Sequence, residues 1–384
     1  MSETYRHLET QLVHAGEPLP RIAGAVEMPI FQSATYAYAG EGRYDDVRYL
    51  RNSNTPSQVA LHEKLAVLEG AEAALVTASG MAAISTTLLA VLAPGERVLA
   101  QSCLYGGTHE LLTEQFAHFG LGADFIDAQR PDSWQAQLTP HTRAIYVEAM
   151  TNPLLEVADL NAVVAFARAH GLLAIIDNTF ASPVNYRPIP AGFDLAIHSA
   201  TKYLNGHADI VAGAVAGSAA LIESIRHKLN LLGGALDAHA AFLLKRGLKT
   251  LALRVRFQND STLLLARFLA AHPAVRRVNY PGLESHPQHR RARELFAGAG
   301  GVLSFELAGT AAHADAFAAR LRIPVLAPSL GGVQTLLTRP ATTSHAGLAP
   351  AQRERLGIRD ELLRLSVGIE ATEDLIEDFR QALS

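Results

Sequence analysis

Residues 198–207 read HSATKYLNGH, and they directly follow an apolar segment, 193–197, with the character of a buried strand. Lys202 stands just past that strand, beside two hydroxyl residues, Ser199 and Thr201. An amine that must attack a carbonyl has to be desolvated or set near other positive charge, so that it is neutral often enough to react. Hydroxyls on the same turn donate to and accept from a phosphate. Lysine and hydroxyls together point to a residue that carries pyridoxal phosphate (PLP). A solvated loop lysine is the plainer reading of the stretch taken alone.

The chain on either side decides how that turn is mounted. Short apolar segments at 73–76, 97–100, 123–126, 143–147, 172–176, 193–197 and 211–216 read as strands, with helical stretches at 81–92, 109–118 and 160–170 between them. Strands apolar on both faces, alternating with helices, predict a mostly parallel sheet covered on both sides, the core of an α/β domain. Ser57 is expected to cap the first long helix, which ends at Gly70. Ahead of it, residues 1–56 are rich in breakers such as Pro18, Pro20, Pro29, Gly40 and Gly42. They read as an extended arm with few internal contacts, laid on its own body or on a neighbouring subunit. Helical period dominates 235–272. Beyond it, strands at 275–280, 302–307 and 363–367 and helices at 312–321 and 372–383 predict a smaller α+β domain. The expected division is an arm (1–56), a cofactor-binding domain (57–240) and a C-terminal domain (241–384).

A chain of 384 residues has room for two cores. With 49% hydrophobic and 18% charged residues it has a soluble globular balance, and a net charge of −4 offers no footprint for nucleic acid. The longest apolar stretch, 81–93, is interrupted by Ser85, Thr86 and Thr87 and is too short to span a bilayer. The opening MSETYRHLET does not read as a secretory signal. Cys103 is the only cysteine, so neither an internal disulfide nor a cysteine metal cluster can form, which suits a reducing compartment. The expectations are a cytoplasmic protein with no membrane or nucleic-acid partner. The sixteen histidines show no HExxH-type spacing, so no metal is expected; GxSxG and Walker patterns are missing too, as is a GxGxxG after the first strand.

Four further places can carry chemistry. Asp177 ends the apolar run LLAIID, and the carboxyl ends of parallel strands are where such sheets put their ligands. A carboxylate there can hold a protonated pyridine nitrogen, or it can merely cap the turn DNTFASP; Lys202 after the very next strand favours the first. Ser79, Gly80 and Met81 open the helix after strand 73–76, and the free amides of that first turn face an anion. Tyr105, in YGGT, can stack on an aromatic cofactor and act as acid or base, or can wedge a loop against the core. Arg364, inside LLRLSVGIE, needs a carboxylate, either a structural one or a substrate's.

Taken together the chain resembles the Cys/Met-metabolism PLP enzymes. This trans-sulfuration group includes cystathionine γ-synthase, cystathionine γ- and β-lyases, methionine γ-lyase and the O-acylhomoserine sulfhydrylases. The likeness runs from QLVHAG through YLRNSNTP, EGAEAALVTASGMAAI, YGGT, DNTFASP and HSATKYLNGH to RGLKTLALR, YPGLESHPQH, APSLGGVQTL and LLRLSVGIEATEDLI. It implies PLP fold type I: an aspartate-aminotransferase-like large domain with a mostly parallel sheet, plus a smaller C-terminal α+β domain. It implies Lys202 as the Schiff-base lysine, Asp177 at the pyridine nitrogen and Tyr105 on the ring. Gly80, Met81, Ser199 and Thr201 would hold the phosphate. Tyr49 and Arg51 match a Tyr-x-Arg pair that reaches into the neighbouring subunit's phosphate site, so a homodimer with shared sites is the minimum unit and a tetramer is usual. Asn152, Ser329 and Arg364 match positions that hold the substrate carboxylate or support the ring. The substrate is then a small sulfur amino acid of cysteine and methionine metabolism.

Departures narrow the choice. Gly107 stands where methionine γ-lyases usually carry a cysteine, which counts against that activity. Pro328 stands where γ-lyases and γ-synthases often carry a glutamate able to meet the distal amine of cystathionine. Glu41, Asp45 or Asp46 on the arm are the candidates to replace it. The expected function is carbon–sulfur cleavage of the cystathionine γ-lyase type. The alternatives are γ-replacement on an O-acylhomoserine, as in a cystathionine γ-synthase or sulfhydrylase, and a catalytically silent scaffold on the same fold.

Overall fold

The computed structural model describes residues 5–344, 346–347 and 349–384, and at 352 and 355 the backbone alone. Two compact units emerge. The first comprises Met1–Ala149, Ala158–Pro183 and Arg187–Ala252; the second comprises Met150–Val157, Val184–Tyr186 and Leu253–Ser384. The division falls inside the helix Leu251–Ala270, beyond the expected boundary at 240, and two short mid-chain segments go with the second unit. Residues 241–252 stay with the first unit for a packing reason. Gly247, in the helix Ala238–Leu248, lies against the Asn205 backbone so closely that a Cβ would come within 2.2 Å of the Asn205 carbonyl oxygen.

Seven strands form the first unit's sheet: β1 (Ala73–Thr77), β2 (Arg97–Gln101), β3 (Gly122–Ile126), β4 (Thr142–Glu148), β5 (Leu173–Asp177), β6 (Leu195–His198) and β7 (Gly213–Gly217). Their order is β1-β7-β6-β5-β4-β2-β3. The run β3-β2-β4-β5-β6 is parallel, and β7 is antiparallel to both of its neighbours. The mostly parallel sheet expected from the doubly apolar strands is present. Its core includes Val98, Ala100, Ala144, Tyr146, Ile175, Ile197 and Val215, packed with Ile84 and Leu88 of the helix Gly80–Val91 and Ile225 and Leu229 of the helix Ala219–Leu232.

Two local expectations change. Thr55, not Ser57, caps the helix Pro56–Glu69, in a reciprocal box with Gln58 and with Pro56 in the first turn. The Ser57 hydroxyl instead accepts the Phe31 N–H at 3.0 Å. The beginning of the arm is also richer in contacts than its breakers implied. Residues Leu8–His14 form a helix, and the Leu12 carbonyl accepts from Lys64 Nζ at 2.7 Å. Gly16, at φ +67°, presses on the helix Pro56–Glu69, where a Cβ would fall 2.0 Å from the Ala60 carbonyl oxygen. Glu17 then pairs with Lys245 at 2.9 Å and Lys249 at 3.2 Å.

The second unit carries its own five-stranded sheet of β8 (Val275–Asn279), β9 (Val302–Leu307), β10 (Val325–Leu326), β11 (Leu336–Thr338) and β12 (Leu362–Ser366), ordered β10-β11-β12-β9-β8. Helices Ala311–Arg320 and Thr372–Leu383 cover it, with Phe305, Phe317 and Phe379 meeting edge to face or tilted in the core. Among the described residues no helix is long and apolar enough to cross a membrane.

Candidate active site

Strands β4, β5 and β6 end side by side, in Glu148, Asp177 and His198. Parallel strands deliver these ends to one edge of the sheet, where α/β folds bind ligands. Asp177 is 9% exposed. Its Oδ1 accepts the Thr179 N–H at 2.9 Å, and Thr179 Oγ1 accepts the Ser199 N–H at 2.8 Å. Thr179 therefore locks the Asp177 turn to the Lys202 turn. Within the latter the Lys202 N–H donates to the Ser199 carbonyl at 3.0 Å, and the Lys202 carbonyl accepts from Gly206 at 2.8 Å. Both donors of Thr201, its N–H and its hydroxyl, go to the Ala212 carbonyl at 3.1 Å, so the hydroxyl must turn to reach a phosphate.

The helix Gly80–Val91 starts at the same place. Ser79 caps it, accepting the Ala82 N–H at 3.0 Å, and the preceding amides have no intrahelical carbonyl to meet. A Cβ on Gly80 would lie 2.8 Å from the Ser199 side chain, so the helix start and the Lys202 turn touch only because residue 80 is glycine. Gly213 does the same for β7, where a Cβ would sit 2.1 Å from the Ser79 carbonyl oxygen. Tyr105 stands nearby with 48% of its surface exposed. A Cβ on Gly107 would come 2.8 Å from the Tyr105 ring and 3.1 Å from the Met81 sulfur, which groups Met81, Tyr105 and Gly107.

Three groups here went unnoticed in the sequence. Glu148 is register partner to Asp177 across β4 and β5 and is 5% exposed. Its carboxylate accepts the Tyr105 N–H at 2.6 Å. Burial first, and the Asp177 charge second, push the Glu148 carboxyl well above the usual carboxylate range; burial raises Asp177 as well, against the lowering effect of its Thr179 bonds. Tyr146, two residues earlier on the same face of β4, is also raised by burial. On β6, His198 Nε2 and Glu69 Oε1 form a fully buried contact of 2.6 Å. The signal for Glu148 is the same as for Asp177, an acid ending an apolar strand, but the strand expected at 143–147 stops one residue short of it.

The remaining expected residues fall in two other places. On the arm, Arg51 donates to the Asn230 carbonyl at 2.7 Å and to the Tyr44 hydroxyl at 2.9 Å, and its guanidinium lies over the rings of Tyr44 and Tyr49. Asp45 accepts from His227 at 2.6 Å and Asn230 at 3.3 Å, Asp46 faces Arg226 at 3.7 Å, and Glu41 accepts from the Ala39 N–H at 3.1 Å. In the second unit Arg364, on β12, is 5% exposed and donates to Asn152 Oδ1 at 3.0 Å and to the Ser329 carbonyl at 2.8 Å. These three residues are brought together. Ser329 is held at φ 101°, a conformation costly for a residue with a Cβ.

Residues 9–384 match the family described as Cys/Met metabolism PLP-dependent enzyme. The chain belongs to that family. Among relatives, cystathionine beta-lyase MetC of Bacillus subtilis (strain 168) is 41% identical over 384 residues, covering 100% of this chain and 98% of its own. Cystathionine beta-lyase of Lactococcus lactis subsp. cremoris (strain MG1363) is 40% identical over 377 residues, 98% of each chain. Cystathionine gamma-lyase of Bacillus subtilis (strain 168) is 39% identical over 376 residues, again 98% of each. The crystal structure of cystathionine gamma-lyase from Lactobacillus plantarum complexed with L-serine superposes with a TM-score of 0.92 at 37% identity, covering 98% of each chain.

The first unit's site fits the cofactor on its own geometry. Asp177 is a buried carboxyl whose burial disfavours its charge, and a protonated ring nitrogen beside it would restore that charge. Gly80 brings the free amides of the helix start against the Ser199 turn, a pairing of amide and hydroxyl donors that suits a phosphate.

Proposed function

We propose that this family member is a carbon–sulfur lyase that cleaves cystathionine or a related sulfur amino acid by elimination at Cγ. The observation that carries the cofactor assignment is the Thr179 bridge, which fixes the Asp177 carboxyl and the Lys202 turn in one hydrogen-bonded unit. Lys202 would hold PLP covalently, Asp177 its ring nitrogen and Tyr105 its face. Gly80, Met81, Ser199 and, once its hydroxyl turns, Thr201 would hold its phosphate. Bound there, PLP supplies an electron sink for the charge left on the substrate carbons.

The chain's own residues do the rest. Lys202 Nζ, once freed by the substrate amine, takes the Cα proton and moves protons along the chain of carbons. The Tyr105 hydroxyl, on an exposed ring next to Met81, gives a proton to the departing sulfur. The Arg364 fork, oriented by Asn152 and Ser329, takes the substrate carboxylate. Asp45 is engaged by His227 and Asn230, so Glu41 and Asp46, with weaker partners, are better placed than Asp45 to read a distal amine.

Elimination at Cβ is the second reading, favoured by the relatives that are named beta-lyases. Purified protein incubated with PLP and cystathionine decides between them. The proposal expects 2-oxobutanoate and cysteine. Pyruvate with homocysteine would move the assignment to Cβ, and turnover of O-succinylhomoserine with cysteine but not of cystathionine would replace cleavage by γ-replacement.

The protein is further proposed to work in the cytoplasm as a dimer or larger homo-oligomer, with Tyr49 and Arg51 entering the partner's phosphate site. Support comes from the placement of Arg51 beside Tyr44 and Tyr49 on a segment of few regular elements. Arg51→Ala is expected to weaken PLP retention by about tenfold, the scale of one charge-assisted bond. Unchanged affinity in equilibrium dialysis would remove Arg51 from the phosphate site.

A further inference from the structure

Glu148 is a buried acid beside the acid already assigned to the cofactor, and nothing in the reaction just described uses it. Two carboxyls end adjacent parallel strands in register, on the same face of a sheet whose strands lie about 4.8 Å apart. Both are buried, and both lie among few charges. From β4 comes the neutral Tyr146, from β6 His198, whose ring is on Glu69, and from β5 the Thr179 turn; β2 contributes the Gln101 amide, whose oxygen accepts the Glu148 N–H at 3.2 Å. Burial of both carboxyls, and the Asp177 charge beside Glu148, favour a proton retained within the pair.

We propose that Glu148 is a positioning residue that keeps this proton, leaving the single negative charge on Asp177 while its carbonyl oxygen anchors the Tyr105 turn. The division of labour follows from the partners. Asp177 has the Thr179 amide and hydroxyl to favour its charge and lies near His198, whereas Glu148 has the main-chain N–H of Tyr105, at 2.6 Å. A protonated carboxyl keeps that acceptor oxygen. The turn bearing Tyr105 is thus tied to the state of the acid next to it, and a cation at Asp177 lowers the proton affinity of both. The inference rests on the proposed cofactor role of Asp177.

The burial shifts give the sign of the test. Each carboxyl binds its proton more tightly folded than unfolded, so the stability each contributes is present at low pH and is lost as pH rises through the folded value. Thermal unfolding of cofactor-stripped protein between about pH 6 and 9 reads this directly. Relative to Glu148→Gln, which keeps the acceptor and abolishes the titration, the wild type should lose melting temperature as pH rises. PLP titration at neutral pH supplies the second readout. Glu148→Gln should bind within about threefold of wild type, whereas Glu148→Ala, without the Tyr105 anchor, should bind about tenfold more weakly.

Parallel pH curves for wild type and Glu148→Gln, or equal losses of affinity in the Gln and Ala variants, would overturn the proposal. A merely structural glutamate gives that pattern. A wild type that takes up no PLP at all would instead overturn the functional reading, and the role of the pair with it.

Discussion

The second residue after Tyr105 shows how one atom can set a site. Gly107 has room for no Cβ unless the Tyr105 ring or the Met81 thioether moves, because the nearest atoms would be 2.8 and 3.1 Å away. The sequence marks Gly107 as the place where a cysteine is usual in one branch of the family, and the structure adds what the missing side chain permits. Gly107→Cys should displace the Tyr105 ring and lower kcat/KM for cystathionine by roughly tenfold to a hundredfold, with little change in melting temperature. Steady-state kinetics with matched unfolding curves check it; an unaltered kcat/KM would mean that the ring pose does not govern the reaction. Residue by residue, Lys202 and Asp177 stand out in the sequence as candidates because one follows an apolar strand and the other ends one. Glu148 was not, since an acid that extends a strand by one position looks like the start of a loop. Thr179 was hidden for another reason: its bridge joins turns from two strands, and no local pattern records a bridge.

At the scale of elements, periodicity did well where a helix or strand buries one clear face. The helix read at 372–383 is present as Thr372–Leu383, with Leu375 and Phe379 buried and Glu373 and Glu377 outward. Strands β10 and β11 escaped because two or three residues carry no period; β11 is defined by pairing with β12 and β10 by pairing with β11. The stretch read as a helix over 109–118 begins at Gly106, widens over Leu111–Gln115 and tightens over Phe116–Phe119 before a left-handed Gly120. The helix Pro56–Glu69 holds another unforeseen feature. Lys64 is fully buried on it, bonded to the Leu12 carbonyl of the arm helix, and burial, with Lys245 nearby, pushes its amine down to about 7. The folded chain therefore gives up a proton that the unfolded chain keeps. Stability from this group is full at alkaline pH and is lost as pH falls through about 7. Between about pH 7 and 9 the melting temperature of PLP-saturated wild type should gain on that of Lys64→Met. Curves that stay parallel would show that Lys64 does not titrate in the folded protein.

For the whole molecule, the motifs along the chain carried the family and the cofactor, and the match over residues 9–384 agrees with them. They carried the bond to be broken less well, since Cγ and Cβ elimination share one cofactor and one lysine and differ in how the rest of the substrate is held. The division into two units was legible as a change of pattern after the first sheet. Its interleaving was not, because Met150–Val157 and Val184–Tyr186 join the second unit through contacts far away in sequence, such as Asn152 with Arg364 and Asn185 with Asn259. The central claim concerns a single amine. Lys64 is the rival that chemistry alone would nominate, being neutral enough near pH 7, yet it is 0% exposed and committed to Leu12. Reducing the PLP-loaded protein with borohydride fixes the cofactor to whichever lysine holds it, and proteolysis with mass mapping finds the peptide. One modified peptide is expected, containing Lys202; cofactor mass on Lys64 or on other lysines, with none on Lys202, would contradict the assignment.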